Sequence, residues 1–192
     1  NVKQLAEGVS MYSGSKIEGD KSMLEALKAS DSDGETVDSK IEFRINGKRF
    51  LIGDLETNED GIVYEEGKYI DKEGYLRQKV EDGEDIYVLD GEDKIRFDVI
   101  INKDFSSATM KDVLNDLTKG INNTEGIGIK ASYDSKYGVF FLNTVGTGRE
   151  NSFIEITAGD NVTNANYFFG ALNLKVKGYI YDNEQDAEGI PV

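Results

Sequence analysis

The chain has 192 residues, 38% of them hydrophobic and 31% charged, enough for a buried core in one or two domains. Its formal net charge of −15 argues against nucleic acid and against membrane as partners, because polyanions and anionic lipid would repel it. Zero cysteine removes disulfides and thiolate chemistry, and zero histidine removes the commonest general base and transition-metal ligand.

These losses set the residue content against an enzyme. No apolar run approaches the roughly 18 residues that a membrane-spanning helix needs. The chain opens at Asn1, with no methionine and no signal sequence, as a piece of a longer protein would.

In chain order, Val2, Leu5, Val9 and Met11 fit a strand with an irregularity, although VKQLAEG also holds good helix formers. Ser22 and Glu25 have the spacing of a capping box before a short helix, Met23 to Lys28. ASDSDGETVDS is a polar loop and a candidate domain boundary. Ile41, Phe43 and Ile45 alternate, Asn46-Gly47 follows, and Phe50 and Ile52 resume. Asn-Gly between alternating runs predicts a hairpin, because both residues tolerate positive φ.

From Asp54 to Asp93 there are 15 Asp or Glu against 4 Lys or Arg, so 11 of the 15 net negative charges fall there. Ile62 to Tyr64, Tyr69 with Ile70, and Ile86 to Leu89 interrupt this stretch as short strands joined by acidic turns. Asp90-Gly91 begins a further hairpin, and the units 41–52 and 86–101 look alike.

Ile95, Phe97, Val99 and Ile101 alternate as a half-buried strand. Thr109 and Asp112 form a capping-box variant opening a helix at 109–122, with an apolar stripe of Met110, Val113, Leu114, Leu117 and Ile121. Gly120 is expected to weaken its last turn. Ile127, Ile129, Ala131 and Tyr133 alternate next, Asp134 to Gly138 is turn chemistry, and Val139 to Leu142 is a dense apolar run. After Gly146 and Gly148 a strand resumes from Phe153 to Thr157. Ala158 to Asn164 is a polar loop, Asn166 to Leu172 one helical turn with core aromatics, and Leu174, Val176, Gly178 and Ile180 a last strand.

The pattern is mainly β of the α+β class: antiparallel meander and hairpin sheets with one clear short helix at 109–122.

Few motifs carry chemistry. Asp31, Asp33 and Gly34 match part of a calcium loop, but the glycine arrives at position 4 instead of 6, and position 12 is Glu42 inside a strand. A solvated acidic loop is the default reading. Asp82 with Asp85 could serve glycoside hydrolysis only if a cleft held them apart at the right spacing, which glycine-rich turns do not do. GTGRE at 146–150 lacks phosphate-loop spacing. Asn122-Asn123-Thr124 and Asn161-Val162-Thr163 match the N-glycosylation sequon.

Tyr133, Tyr137, Phe140, Phe141, Tyr167, Phe168 and Phe169 cluster late, as core filling or as a binding surface, with core the favoured role. Tyr64, Tyr69, Tyr75 and Tyr87 sit among acids and are expected to be partly exposed. No catalytic, cofactor-binding or metal-ligating residue is assigned.

The order of the capped helix with LNDLTKGIN, then GIKASYDSKYGVFFLNTVGTGRENSFIEIT, then YFFGALNL resembles the flagellar IN motif of flagellins and hook-associated proteins. ASYD, FFLNTVGTG and FFGALNL are most similar to the hook-associated protein 2 family of flagellar filament caps, and NVKQLAEGVS is similar to the strand that opens that family's outer head. The likeness touches a third to a half of the chain, and the order of the pieces carries it.

It implies a structural, non-enzymatic part of the bacterial flagellum: the outer head of a cap that forms a ring at the filament tip and promotes flagellin assembly. The implied location is extracellular, after export. The implied partners are further copies of the full-length protein, flagellin, and a host surface or mucin.

The likeness also implies two β-rich modules: 1–35 with 168–192, and an acidic module at 36–167 inserted between them. The competing readings are an outer domain of a flagellin or hook-filament junction protein, and a surface adhesin or carbohydrate-binding module.

Overall fold

The computed structural model describes residues 8–30, 40–146, 153–159 and 162–177. The expectations for residues 1–7, for Asp31, Asp33 and Gly34, for 147–150, for Asn161, and for Gly178 and Ile180 lie outside those residues. In chain order the elements are β1 (Ser10–Ser13), α1 (Met23–Ser30), β2 (Lys40–Ile45), β3 (Lys48–Gly53), β4 (Ile62–Glu65), β5 (Lys68–Ile70), β6 (Leu76–Gln78), β7 (Ile86–Tyr87), β8 (Leu89–Asp90) and β9 (Asp93–Lys94). Then follow β10 (Val99–Asn102), α2 (Met110–Asn123), β11 (Ile129–Asp134), β12 (Val139–Thr144), β13 (Ile156–Ala158), α3 (Val162–Leu172) and β14 (Leu174–Lys177). The fold is mainly β, as the alternation predicts.

Two four-stranded sheets build the body, in the orders β11-β12-β1-β14 and β10-β3-β2-β13. A third sheet, β4-β5-β6-β7, is the acidic meander, with β8 and β9 as a small pair beside it. Asn46 (φ 49°) and Gly47 (φ 77°) make the two-residue turn that Asn-Gly predicts, closing Ile45 onto Lys48. The resulting hairpin is buried on both faces. Ile41, Phe43, Ile45, Phe50 and Ile52 enter the large core, whereas Leu51 enters a second, smaller core with Leu55, Ile70, Leu76 and Phe97. Phe43 stacks on Phe50 at 5.2 Å and meets Phe169 edge-on at 5.0 Å.

The large core also takes Val9 from the chain's start, Met23 and Leu27 from α1, the α2 stripe, Ile129, Phe140 and Leu142 from β11–β12, and Phe168 and Leu172 from α3. Residues from both modules expected from the sequence therefore share this one core. β1 pairs with β12 on one side and β14 on the other.

α2 begins as its sequence predicts. Asp112 N–H donates to the Thr109 hydroxyl at 3.2 Å, and Thr109 N–H donates back to the Asp112 carboxylate at 3.2 Å. All five stripe residues are buried. α1 carries the same device, with Ser22 and Glu25 exchanging two hydrogen bonds of 3.2 Å.

Three expectations need correction. The alternating run 95–101 is not one strand feeding an antiparallel hairpin. β10 starts at Val99 and pairs with β3 in parallel, so the likeness of 86–101 to 41–52 does not extend to pairing. Phe97 fills the meander core and Ile101 the large core, so one period-two run serves both. Asn166 to Leu172 is not one turn, and the segment before it is not loop to Asn164. α3 runs from Val162 to Leu172, because burial of Ala165, Phe168 and Leu172 at helical spacing outweighs its weak intrinsic propensity. The strand expected at 153–157 begins at Ile156, leaving Phe153 outside it and exposed. Gly120, in a helix that runs on to Asn123, has a second role. It admits Val99, whose Cγ1 would lie 2.6 Å from a methyl placed there.

Two substitutions test this packing. Leu117→Ala should cost about 2–5 kcal/mol of unfolding free energy, read from the denaturant midpoint at unchanged slope. Gly120→Ala should destabilise the protein despite a helix-propensity gain of about 1 kcal/mol, because the stiff β-branched Val99 must shift; a raised melting temperature would contradict the close approach.

Candidate functional site

The motifs weighed in the sequence do not converge. Glu42, the twelfth position of the partial calcium loop, sits in β2 with its carboxylate engaged internally. It accepts from Arg49 at 3.1 Å and from the Tyr64 hydroxyl at 2.8 Å. Asp82 is exposed on a turn, and Asp85 accepts from the Tyr69 hydroxyl at 2.9 Å and from Val80 N–H at 3.2 Å, so no cleft holds the two as a pair. Asn122 spends its amide on the free edge of β11. Its Nδ2 donates to Ala131 O and its Oδ1 accepts from Ala131 N–H, both at 2.9 Å, so this sequon is a strand substitute. Among the described residues no group of three or more His, Cys, Asp or Glu could hold a metal ion.

Of the late aromatics, Phe140 and Phe168 are fully buried, and Tyr137 is 61% exposed at the β11–β12 turn. Tyr133, Phe141, Tyr167 and Phe169 are half-buried.

Two arrangements that the sequence reading missed dominate the meander. The first is an ionic clamp between the meander and the body. Arg49 on β3, its side chain only 11% exposed, reaches Glu42 and also pairs with Asp90 on β8. Arg44 on β2 meets the same Asp90 carboxylate at 2.6 Å. Glu42 and Arg44 are neighbours on one face of β2, opposite the apolar residues Ile41, Phe43 and Ile45. Two guanidinium groups on one carboxylate hold Asp90 below the usual carboxyl range, chiefly through the hydrogen bond from Arg44.

The second is a tyrosine–cation face on the outside of the meander. Leu76 points into the small core, so its neighbours Tyr75 and Arg77 point out. Strand register sets Tyr69 beside Arg77 and Arg77 beside Tyr87, and an isolated bridge sets Tyr75 beside Arg96. The Tyr87 ring has Lys94 Nζ at 3.6 Å and Arg77 Cζ at 3.9 Å from its centre. Tyr75 meets Tyr87 edge-on at 5.4 Å, with Arg96 Cζ 5.6 Å from the Tyr75 ring centre. The four meander tyrosines are half-buried, as expected. Their cationic partners were not legible, because Lys94 and Arg96 lie beyond the acidic run and return through strand pairing.

Comparison with protein-family models, with curated proteins and with solved structures finds no match to this chain. No helix among the described residues is long and apolar enough to cross a membrane.

Removing Arg49 leaves the buried Glu42 carboxylate without its cation, so Arg49→Ala should cost about 3–5 kcal/mol by denaturant unfolding. The clamp also gives a pH dependence. A carboxyl whose folded pKa is lowered contributes stability that is complete above its unfolded value, near about 4, and is lost as pH falls through the folded value. Asp90 is lowered by Arg44, and Asp85 by the Tyr69 hydroxyl and then Val80 N–H. Melting temperature should therefore fall as pH drops below about 4, and Asp90→Asn should reduce that fall.

Proposed function

We propose that this chain is the outer head of a flagellar filament cap, a structural and non-enzymatic part that sits at the filament tip and promotes flagellin assembly. The observation that carries the reading is the packing of the segments behind the resemblance. LNDLTKGIN lies in α2, KASYD and VFFLNT form β11 and β12, and YFFGAL lies in α3. Leu114, Leu117, Ile121, Phe140, Leu142, Phe168 and Leu172 from these segments meet in one core. Pieces that follow one another in the resembling order thus also form one packed unit.

The partners under this reading are other copies of the whole protein, flagellin, and a host surface or mucin, in an exported, extracellular setting. The readings it competes with are a flagellin or hook-filament junction outer domain and an adhesin or carbohydrate-binding module.

Gold-labelled antibody against residues 54–93, applied to cells of the source, separates these readings. Label confined to filament tips is the expected result. Label along the whole filament would assign the chain to a flagellin, label at the filament base to a junction protein, and label away from flagella to an adhesin.

The 192-residue chain alone should be monomeric or weakly associated at micromolar concentration, because 11 of its 15 net negative charges lie in one segment and repel between copies. Added salt screens such exposed charges within about 8–10 Å, so sedimentation should show association rising with salt. A stable ring at low salt would place the main assembly surface within these residues.

A further inference from the structure

We infer that Asn46 is a self-modification site that the fold keeps closed. In the unfolded chain its carboxamide cyclises onto Gly47 and deamidates, and neither product can rebuild the junction that the amide makes in the native turn. The inference stands apart from the cap reading, because it concerns one turn and its contacts.

The first ground is the dipeptide. Asn46-Gly47 is the chain's one Asn-Gly pair. In an open chain the Gly47 backbone nitrogen, with no side chain in the way, loses its proton to base and attacks Cγ of Asn46. The bond from Cγ to the carboxamide nitrogen breaks, and that nitrogen takes up protons and leaves as ammonia. The cyclic imide that remains adds water at either carbonyl. One opening gives aspartate, and the other gives isoaspartate, whose backbone runs through the side chain. Water is consumed, ammonia is released, and nothing is oxidised or reduced.

The second ground is what holds the carboxamide in the folded chain. Asn46 Nδ2 donates to Ile127 O at 2.9 Å and to Phe153 O at 3.2 Å, and Oδ1 accepts from Glu155 N–H at 2.8 Å. The backbone adds a fourth bond, Asn46 N–H to Glu155 O at 2.9 Å. Ring closure turns Cγ onto the Gly47 nitrogen, and that rotation breaks all three side-chain bonds. Access is not the barrier. Gly47 is exposed, and a methyl placed on it would meet nothing within 4 Å. Protection therefore comes from the fixed amide, and reaction waits for local opening.

The third ground is the fate of the products. Two carbonyl oxygens face Nδ2, so that place needs a donor. Aspartate puts an acceptor there, which loses both bonds and sets like partial charges together. Isoaspartate lengthens the backbone of a two-residue turn whose register sets Ile45 opposite Lys48. Either product loosens the β2–β3 hairpin from the segments that lead into β11 and β13. A chain that reacts while open is thereby marked irreversibly.

The test follows deamidation by peptide mass spectrometry in the 192-residue chain, folded and in urea, at one alkaline pH and one temperature. Asn46 should react ahead of the other asparagines in urea. In the folded chain it should react at least about tenfold more slowly, because only the open fraction reacts. Asn46→Asp should melt below Asn46→Gly, which removes the carboxamide without adding a charge and tolerates the positive φ. Facing carbonyls raise the pKa of the new carboxyl, so its penalty is present above that value and lost as pH falls through it. The gap between the two variants should therefore narrow in acid, where the protonated carboxyl can donate again. A fold lost in Asn46→Asp but kept in Asn46→Gly supports the same reading. If neither variant folds, the two deamidation rates decide.

Equal rates in the folded and unfolded chain overturn the proposal, because the carboxamide would then be unheld. So does an Asn46→Asp protein that melts at or above Asn46→Gly, which would mean that the turn accepts the product.

Discussion

The fold depends on the β2–β3 hairpin being covered on both faces. One face sends Ile41, Phe43, Ile45, Phe50 and Ile52 into the large core, and burial of each such side chain is worth about 1.5–3 kcal/mol. The other face carries Leu51 into the meander core, and with it the Glu42–Arg49 pair, which would be costly in isolation. The pair is tolerable because Tyr64 and Asp90 complete it from the meander side. β10 on one edge and β13 on the other finish the wall, and Asn46 at its turn binds Ile127 O and Glu155 N–H from two further segments.

This arrangement explains how a chain with so uneven a charge distribution folds as one body. The small core under the acidic meander has five buried apolar residues, and one of them, Leu51, belongs to the wall. Its attachment comes from that wall and from the clamp at Asp90. The outer face is thereby left to tyrosines and cations that the core does not need. A surface freed in this way can vary without disturbing the body.

The sequence made its local signals legible. Asn46-Gly47, the Thr109–Asp112 box and the stripe from Met110 to Ile121 are each decided within a few residues, and each stands as read. What escaped was decided across distance. Nothing near Val99 announces a parallel partner at Phe50, and nothing near Gly120 announces Val99 against it. NVTNANYFFG reads as poor helix because its polar and aromatic residues favour other states, yet the core sites filled by Phe168 and Leu172 make α3 a helix. Asn122 reads as a sequon and serves as a strand edge. The tyrosine–cation face was half legible: the tyrosines stood out, but their partners arrive through register.

The most direct test of the shared wall is residue-resolved hydrogen exchange on a Phe50→Ala protein. Phe50 touches only the large core, but it lies in the strand that carries Leu51 and Arg49 to the meander. The wall account predicts that protection falls at Ile70 and Leu76 in the meander together with α2 and β12. Loss confined to the large core, with Ile70 and Leu76 as slow to exchange as in the unmodified chain, would contradict it and make the meander an independently folding unit.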